Sequence, residues 1–92
     1  MEGTPSELRV TMAADPAWAP MVGEVAAQAA RQRGHADTKA SAFGSRVEGA
    51  VRDACAAAAR AGAEVACVVR LTGAQVEVDV AGQRGSRTVR LE

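Results

Sequence analysis

Strict polar–apolar alternation through the last third of the chain, two long segments of helical spacing before it and one short alternating run at the start predict a two-layer α+β domain. The order is β-α-α-β-β-β, with both helices packed on one face of a four-stranded, mostly antiparallel sheet, because two amphipathic helices and one half-wet sheet bury their apolar faces most economically against each other. At 92 residues this is a single domain, 7–92, behind a flexible tail, 1–6. A chain of this size buries roughly 60–65% of the surface its unfolded form exposes, so its stability is modest.

The first strand is Glu7-Leu8-Arg9-Val10-Thr11-Met12, which sets Leu8, Val10 and Met12 on one, half-buried side. Asp15-Pro16 marks a helix start, and Trp18, Met21, Val22, Val25, Ala26 and Ala29 recur at helical spacing until Gly34, which makes that stripe the inward face and Trp18 part of the core. Pro20 removes a hydrogen bond inside a helix, so the regular helix begins close to it rather than at Asp15. The second helix runs from Asp37 or Thr38 to Ala61, roughly 35 Å at 1.5 Å per residue. Its apolar stripe is Phe43, Val47, Ala50, Val51, Ala54 and Ala58, and Gly62 stops it. The run Ala56-Ala57-Ala58-Ala59 keeps side chains small enough for another backbone to approach.

After Gly62 the period becomes two. Glu64 to Leu71 and Gln75 to Val80 flank a hairpin turn at Thr72-Gly73-Ala74, and Ser86 to Glu92 follows a turn at Ala81 to Gly85. Val76, Val78 and Val80 face one way and Gln75, Glu77 and Asp79 the other, as a sheet with one dry and one wet face requires.

Composition excludes several functions. Eleven basic residues balance eleven acidic ones, and the strands carry no aromatic stacking platform, which argues against nucleic acid as a partner. No apolar stretch approaches the length of a membrane span and the N-terminus lacks the pattern of a secretory signal, so the expected compartment is the cytoplasm, with no membrane partner. Cys55 and Cys67 fall in a helical and a strand pattern, where a small buried thiol is the ordinary reading. His35 follows Gly34 in the interhelical turn and is expected to be solvated, and no spacing of residues suggests a metal site. The glycines of Gly82-Gln83-Arg84-Gly85 lack the Gly-Lys-Ser/Thr ending of a phosphate loop.

Local motifs in this order resemble the ATPase fold of the bacterial anti-sigma factor serine kinases, a branch of the GHKL group. A strand leads to an acidic-Pro helix start at Asp15-Pro16, and Glu48-Gly49-Ala50-Val51-Arg52-Asp53-Ala54-Cys55-Ala56-Ala57 is similar to the end of that family's second helix. The resemblance sets Asp53 at the catalytic acid and Ala57 where the magnesium-binding asparagine belongs. Val76 to Gly82 resembles the strand leading to the adenine-contacting Asp-x-Gly turn, with Val80 in place of the aspartate and Gly82 kept. Gly85-Ser86-Arg87-Thr88-Val89-Arg90-Leu91 resembles the closing strand, which leaves the family's lid and third helix missing.

That pattern implies a degenerate, shortened member without its chemistry. Magnesium needs oxygen ligands and alanine supplies none; without a lid, phosphoryl transfer loses its positioning and its shelter from water. The expectation is therefore no enzyme, no catalytic residue and no cofactor, but a noncatalytic protein-binding regulator in transcription or signalling, with a sigma factor or an anti-sigma antagonist as the implied partner. The alternatives are a small homodimerising scaffold module and a residual ATP-binding kinase. Two surfaces present themselves: the wet sheet face with Arg9, Glu77, Asp79 and Arg90, suited to self-association, and the outer helical face with Arg46, Asp53 and Arg60, suited to a different protein.

Overall fold

In the computed structural model, which describes residues 6–58, 62–82 and 85–91, strand β1 (Ser6–Ala13) leads through a 3-10 turn (Pro16–Trp18) into α1 (Ala19–Gln32) and α2 (Asp37–Ala57). Strands β2 (Glu64–Thr72), β3 (Gln75–Gly82) and β4 (Gly85–Leu91) follow. The sheet order is β1-β2-β3-β4 and every neighbouring pair is antiparallel. This is the two-layer β-α-α-β-β-β arrangement the sequence predicts. Ser6, expected in the tail, already pairs with Leu71, while residues 1–5 lie outside the described residues. Among the described residues no helix is long and apolar enough to cross a membrane.

Local chemistry sets the boundaries. The Asp15 carboxylate accepts a hydrogen bond from the Ala17 amide at 3.0 Å and so caps the 3-10 turn. Pro20 sits in the first turn of α1, where its missing N–H costs nothing. Gly73, at φ +59, is the first central residue of the β2–β3 turn and Ala74 keeps a negative φ, the signature of a type II′ hairpin. Helix α2 ends at Ala57, short of the expected Ala61, because Ala58 turns extended with ψ 115°. Residues 59–61, Arg60 among them, lie outside the described residues.

The core is built from Phe43, Val47 and Val51 of α2 against Val65, Cys67, Val76, Val78 and Val80 of the sheet, all essentially inaccessible to water. Each such side chain contributes roughly 1.5–3 kcal/mol relative to exposure. Both cysteines are free and buried, as their places in helix and strand patterns suggest.

Helix α1 departs from the expected orientation. Its buried residues are Ala19, Val22, Gly23, Ala26, Ala27 and Ala30, whereas Trp18, Met21 and Val25 are exposed at 42%, 51% and 43%. The cause is the helix crossing. A Cβ built on Gly23 would stand 2.7 Å from the Gly44 carbonyl oxygen, and one on Gly44 would stand 2.6 Å from that of Gly23, so the helices meet backbone to backbone. Small residues bring helix axes closer than the usual 8–10 Å, and α1 turns its alanine and glycine stripe to α2, so that Val22 and Ala26 of the expected stripe are buried while Trp18, Met21 and Val25 are left outward.

That narrow helical layer leaves β1 uncovered. Leu8, Val10 and Met12 share the helix-facing side with Val69, Cys67 and Val65, yet Leu8 is 53% exposed and only Met12 is partly buried. The expected half-buried strand is thus an edge strand with a bare apolar face. At the end of the molecule where α1 meets α2, the Arg33 guanidinium donates to the Gly73 carbonyl at 3.2 Å, and the His35 ring Nε2 lies 2.5 Å from the Ala74 carbonyl. His35 is therefore half-buried, a tie between the interhelical turn and the β2–β3 turn rather than a solvated loop residue.

Candidate binding surfaces

The outer sheet face carries a row of alternating charge in register across all four strands: Glu7, Arg70, Glu77 and Arg90. Arg70 donates to Glu7 at 3.1 Å, to Glu77 at 3.3 Å and to Asp79, while Arg90 donates twice to one Glu77 oxygen, at 2.9 and 2.6 Å. The Thr88 hydroxyl donates to Asp79 at 2.6 Å. That hydrogen bond first, and the Arg70 bond next, hold the Asp79 carboxyl below the usual carboxylate range; the Asp79 bond in turn raises the Arg70 guanidinium. Exposed pairs of this kind are screened by solvent and salt and individually contribute little, so the network orders the outer face more than it stabilises the fold. Of the predicted site residues, the structure brings Glu77, Asp79 and Arg90 together, and their charges are engaged within the sheet. Arg9 occupies the adjacent row, Arg9-Val68-Asp79-Thr88, is exposed, and makes no ion pair with a described residue.

The second predicted surface joins α2 to β4. Arg46 donates to the main-chain oxygen of Arg90 at 3.1 Å, its guanidinium 5.8 Å from the centre of the Phe43 ring. Asp53 pairs with Arg87 at 3.3 Å, both side chains more than half exposed. Between α2 and the β3–β4 end lies a cavity of about 270 Å³ lined by Asp53, Ala54, Ala57, Val80, Gly82 and Arg87. The four positions singled out by the resemblance, Asp53, Ala57, Val80 and Gly82, therefore border one space. Ala57 and Val80 present hydrocarbon to it, and the Asp53 carboxylate is turned to Arg87.

A third surface was not among the expectations. Between β1 and α1 runs a groove of about 390 Å³ with Ser6, Leu8, Val25, Ala29, Val69 and Leu71 along it. Its lining is mostly apolar, and exposed Met21 and Trp18 extend the strip toward the start of α1. Sequence pattern placed these residues inward because a large apolar stripe normally marks a helix's buried face. The signal against that reading was the pair of mid-helix glycines, Gly23 and Gly44, which narrow the helical layer.

Nucleophilic chemistry finds no support in the thiols. Burial, with the neighbouring Cys55 adding to it, pushes Cys67 up to about 11, and burial raises Cys55 as well, so neither supplies thiolate near neutrality. Among the described residues, no three His, Cys, Asp or Glu side chains are placed to hold a metal ion. The sequence matches no known protein-family model, and no curated protein at a significant level.

Proposed function

We propose that this chain is a noncatalytic protein-binding regulator, a shortened relative of the anti-sigma factor serine kinases that acts in the cytoplasm on a sigma factor or an anti-sigma antagonist. The observation that carries the binding role is the uncovered apolar strip of Trp18, Met21, Val25 and Leu8. Small domains rarely leave large apolar side chains contiguous and bare unless another protein covers them. Support for the family reading comes from the cavity that gathers Asp53, Ala57, Val80 and Gly82. Support for the loss of chemistry comes from the same place: hydrocarbon stands at two positions that need oxygen, and the remaining carboxylate is engaged with a guanidinium.

The test has two arms. Immobilised wild-type chain should recover a sigma factor or its antagonist from a lysate of its own organism, and a Trp18→Asp, Met21→Asp double variant should not, since both positions are exposed and the change spares the core. Recovery of nothing but the chain itself sinks the sigma-related assignment. Mg-ATP at millimolar concentration should leave the melting temperature unchanged; a clear rise means that nucleotide binding persists.

A further inference from the structure

We infer that the cleft between α2 and β4 receives an acidic segment of another protein, whose carboxylates meet Arg46 and Arg87. This goes beyond the regulator reading and does not rest on it, because the cleft runs along β4, at the opposite edge of the sheet from the apolar strip.

The cleft has a volume of about 350 Å³ and is bordered by Arg46, Gly49, Asp53, Arg87 and Thr88. Arg46 gives one hydrogen bond to the Arg90 main-chain oxygen at 3.1 Å, lies over the Phe43 ring and makes no ion pair with a described residue. A guanidinium presents a planar fork of donors, so most of this one's capacity is unspent. Arg87 holds one carboxylate oxygen of Asp53 at 3.3 Å, with both side chains exposed. The Thr88 hydroxyl is committed to Asp79. What the cleft offers a ligand is therefore guanidinium, which matches planar carboxylates.

Gly49 supplies an independent observation. Glycine inside a helix is destabilising relative to alanine. For Gly23 and Gly44 the contact between the helices explains it. Gly49 lies within α2 without a positive φ, and a Cβ built on it would meet nothing within 4 Å. The fold gains nothing from the missing methyl group, whereas a chain laid in the cleft gains a closer approach to the helix.

Geometry sets the form of the occupant. Arg46 and Asp53 are two helical turns apart, about 10 Å, a span that an extended chain covers in about three residues. An acid at each end and a small residue over Gly49 match it. Arg46 already occupies the Arg90 main-chain oxygen, so the segment is held through its side chains and is not added to the sheet as a strand. Asp53 shows where the second acid goes: it seats a carboxylate on Arg87 from within the chain, and the incoming carboxylate competes for the same guanidinium.

Calorimetric titration of hexaglutamate into the purified full chain at low ionic strength tests the proposal. A dissociation constant on the order of 0.1–1 mM is expected, weakening as salt is added, with no binding of hexalysine. Arg46→Glu and Arg87→Glu should each weaken binding at least about tenfold, and Asp53→Asn should tighten it at least about threefold by removing the internal competitor. Gly49→Leu should abolish binding while raising the melting temperature, because the space is open and leucine is the better helix former. Those opposite changes separate loss of the site from loss of the fold. No binding up to about 5 mM, binding indifferent to either arginine or to Gly49→Leu, or no gain from Asp53→Asn overturns the proposal. So does tripolyphosphate bound more than about tenfold tighter than hexaglutamate, which would assign the cleft to phosphate. None of these results bears on capture of a sigma factor or antagonist through Trp18 and Met21, so the two readings fail separately.

Discussion

At β4 the sheet ends beneath α2: Arg46 occupies the Arg90 main-chain oxygen, Arg87 is tied to Asp53, and a strand approaching this edge meets three arginines. At β1 it ends beside the open groove beneath α1, with Leu8 and Val10 exposed. The two edges show how one sheet separates its tasks. Charge and a covering helix keep β4 from pairing with a stranger, and the stability of the domain gathers on that side, where Phe43, Val47 and Val51 meet β2 and β3. What is left at β1 is a strand paired to β2 along its length but with little buried side-chain area beyond Met12, a surface suited to meeting another protein.

The largest expected effect is on the covered half. Phe43→Ala removes a fully buried ring and should cost about 3–5 kcal/mol in urea unfolding; a cost under about 1 kcal/mol would mean the core is not where the burial pattern puts it. Asp79→Asn tests the outer face that joins the two halves. The folded Asp79 carboxyl titrates below its unfolded value, so its contribution is complete above the unfolded value of about 3.9 and is lost as pH falls through the lower folded one. The variant should be about 1 kcal/mol less stable at pH 7, with the difference vanishing in strong acid. A difference that grows on acidification would contradict the assigned network. Smallest is Leu8→Ser, which should change stability by no more than about 0.5 kcal/mol because the side chain is more than half exposed. If it destabilises the monomer as much as a core substitution, the contrast between the edges fails.

Much of this architecture was legible in the sequence, and the parts that were not share a cause. Strands β2 to β4 were readable because Val76, Val78, Val80 and Val89 alternate with charged or polar residues, and alternation survives any register. The capped start at Asp15 and the position of Pro20 followed from backbone chemistry alone. The orientation of α1 did not follow, because periodicity identifies stripes but not which stripe a neighbour selects; contact between Gly23 and Gly44 selected the small one. The charged row on the outer sheet was visible as a face but not as a network, since its pairing depends on cross-strand register. The Asp53–Arg87 pair was within reach: alternation along β4 sets Arg87 on the same side as Val89 and Leu91, beneath the helix that carries Asp53.

The contact between Gly23 and Gly44 also restricts how this domain can change over generations. Where two helices touch through side chains, a lineage can retune their angle in small steps, one methyl group at a time. Here the smallest available step, a single Cβ on either residue, already collides with a carbonyl oxygen of the other helix. The pair therefore behaves as one rigid plank, and the orientation of Trp18 and Met21 toward solvent is inherited with it. New partners have to be accommodated by exchanging the residues displayed along the plank, because its tilt is not open to gradual revision.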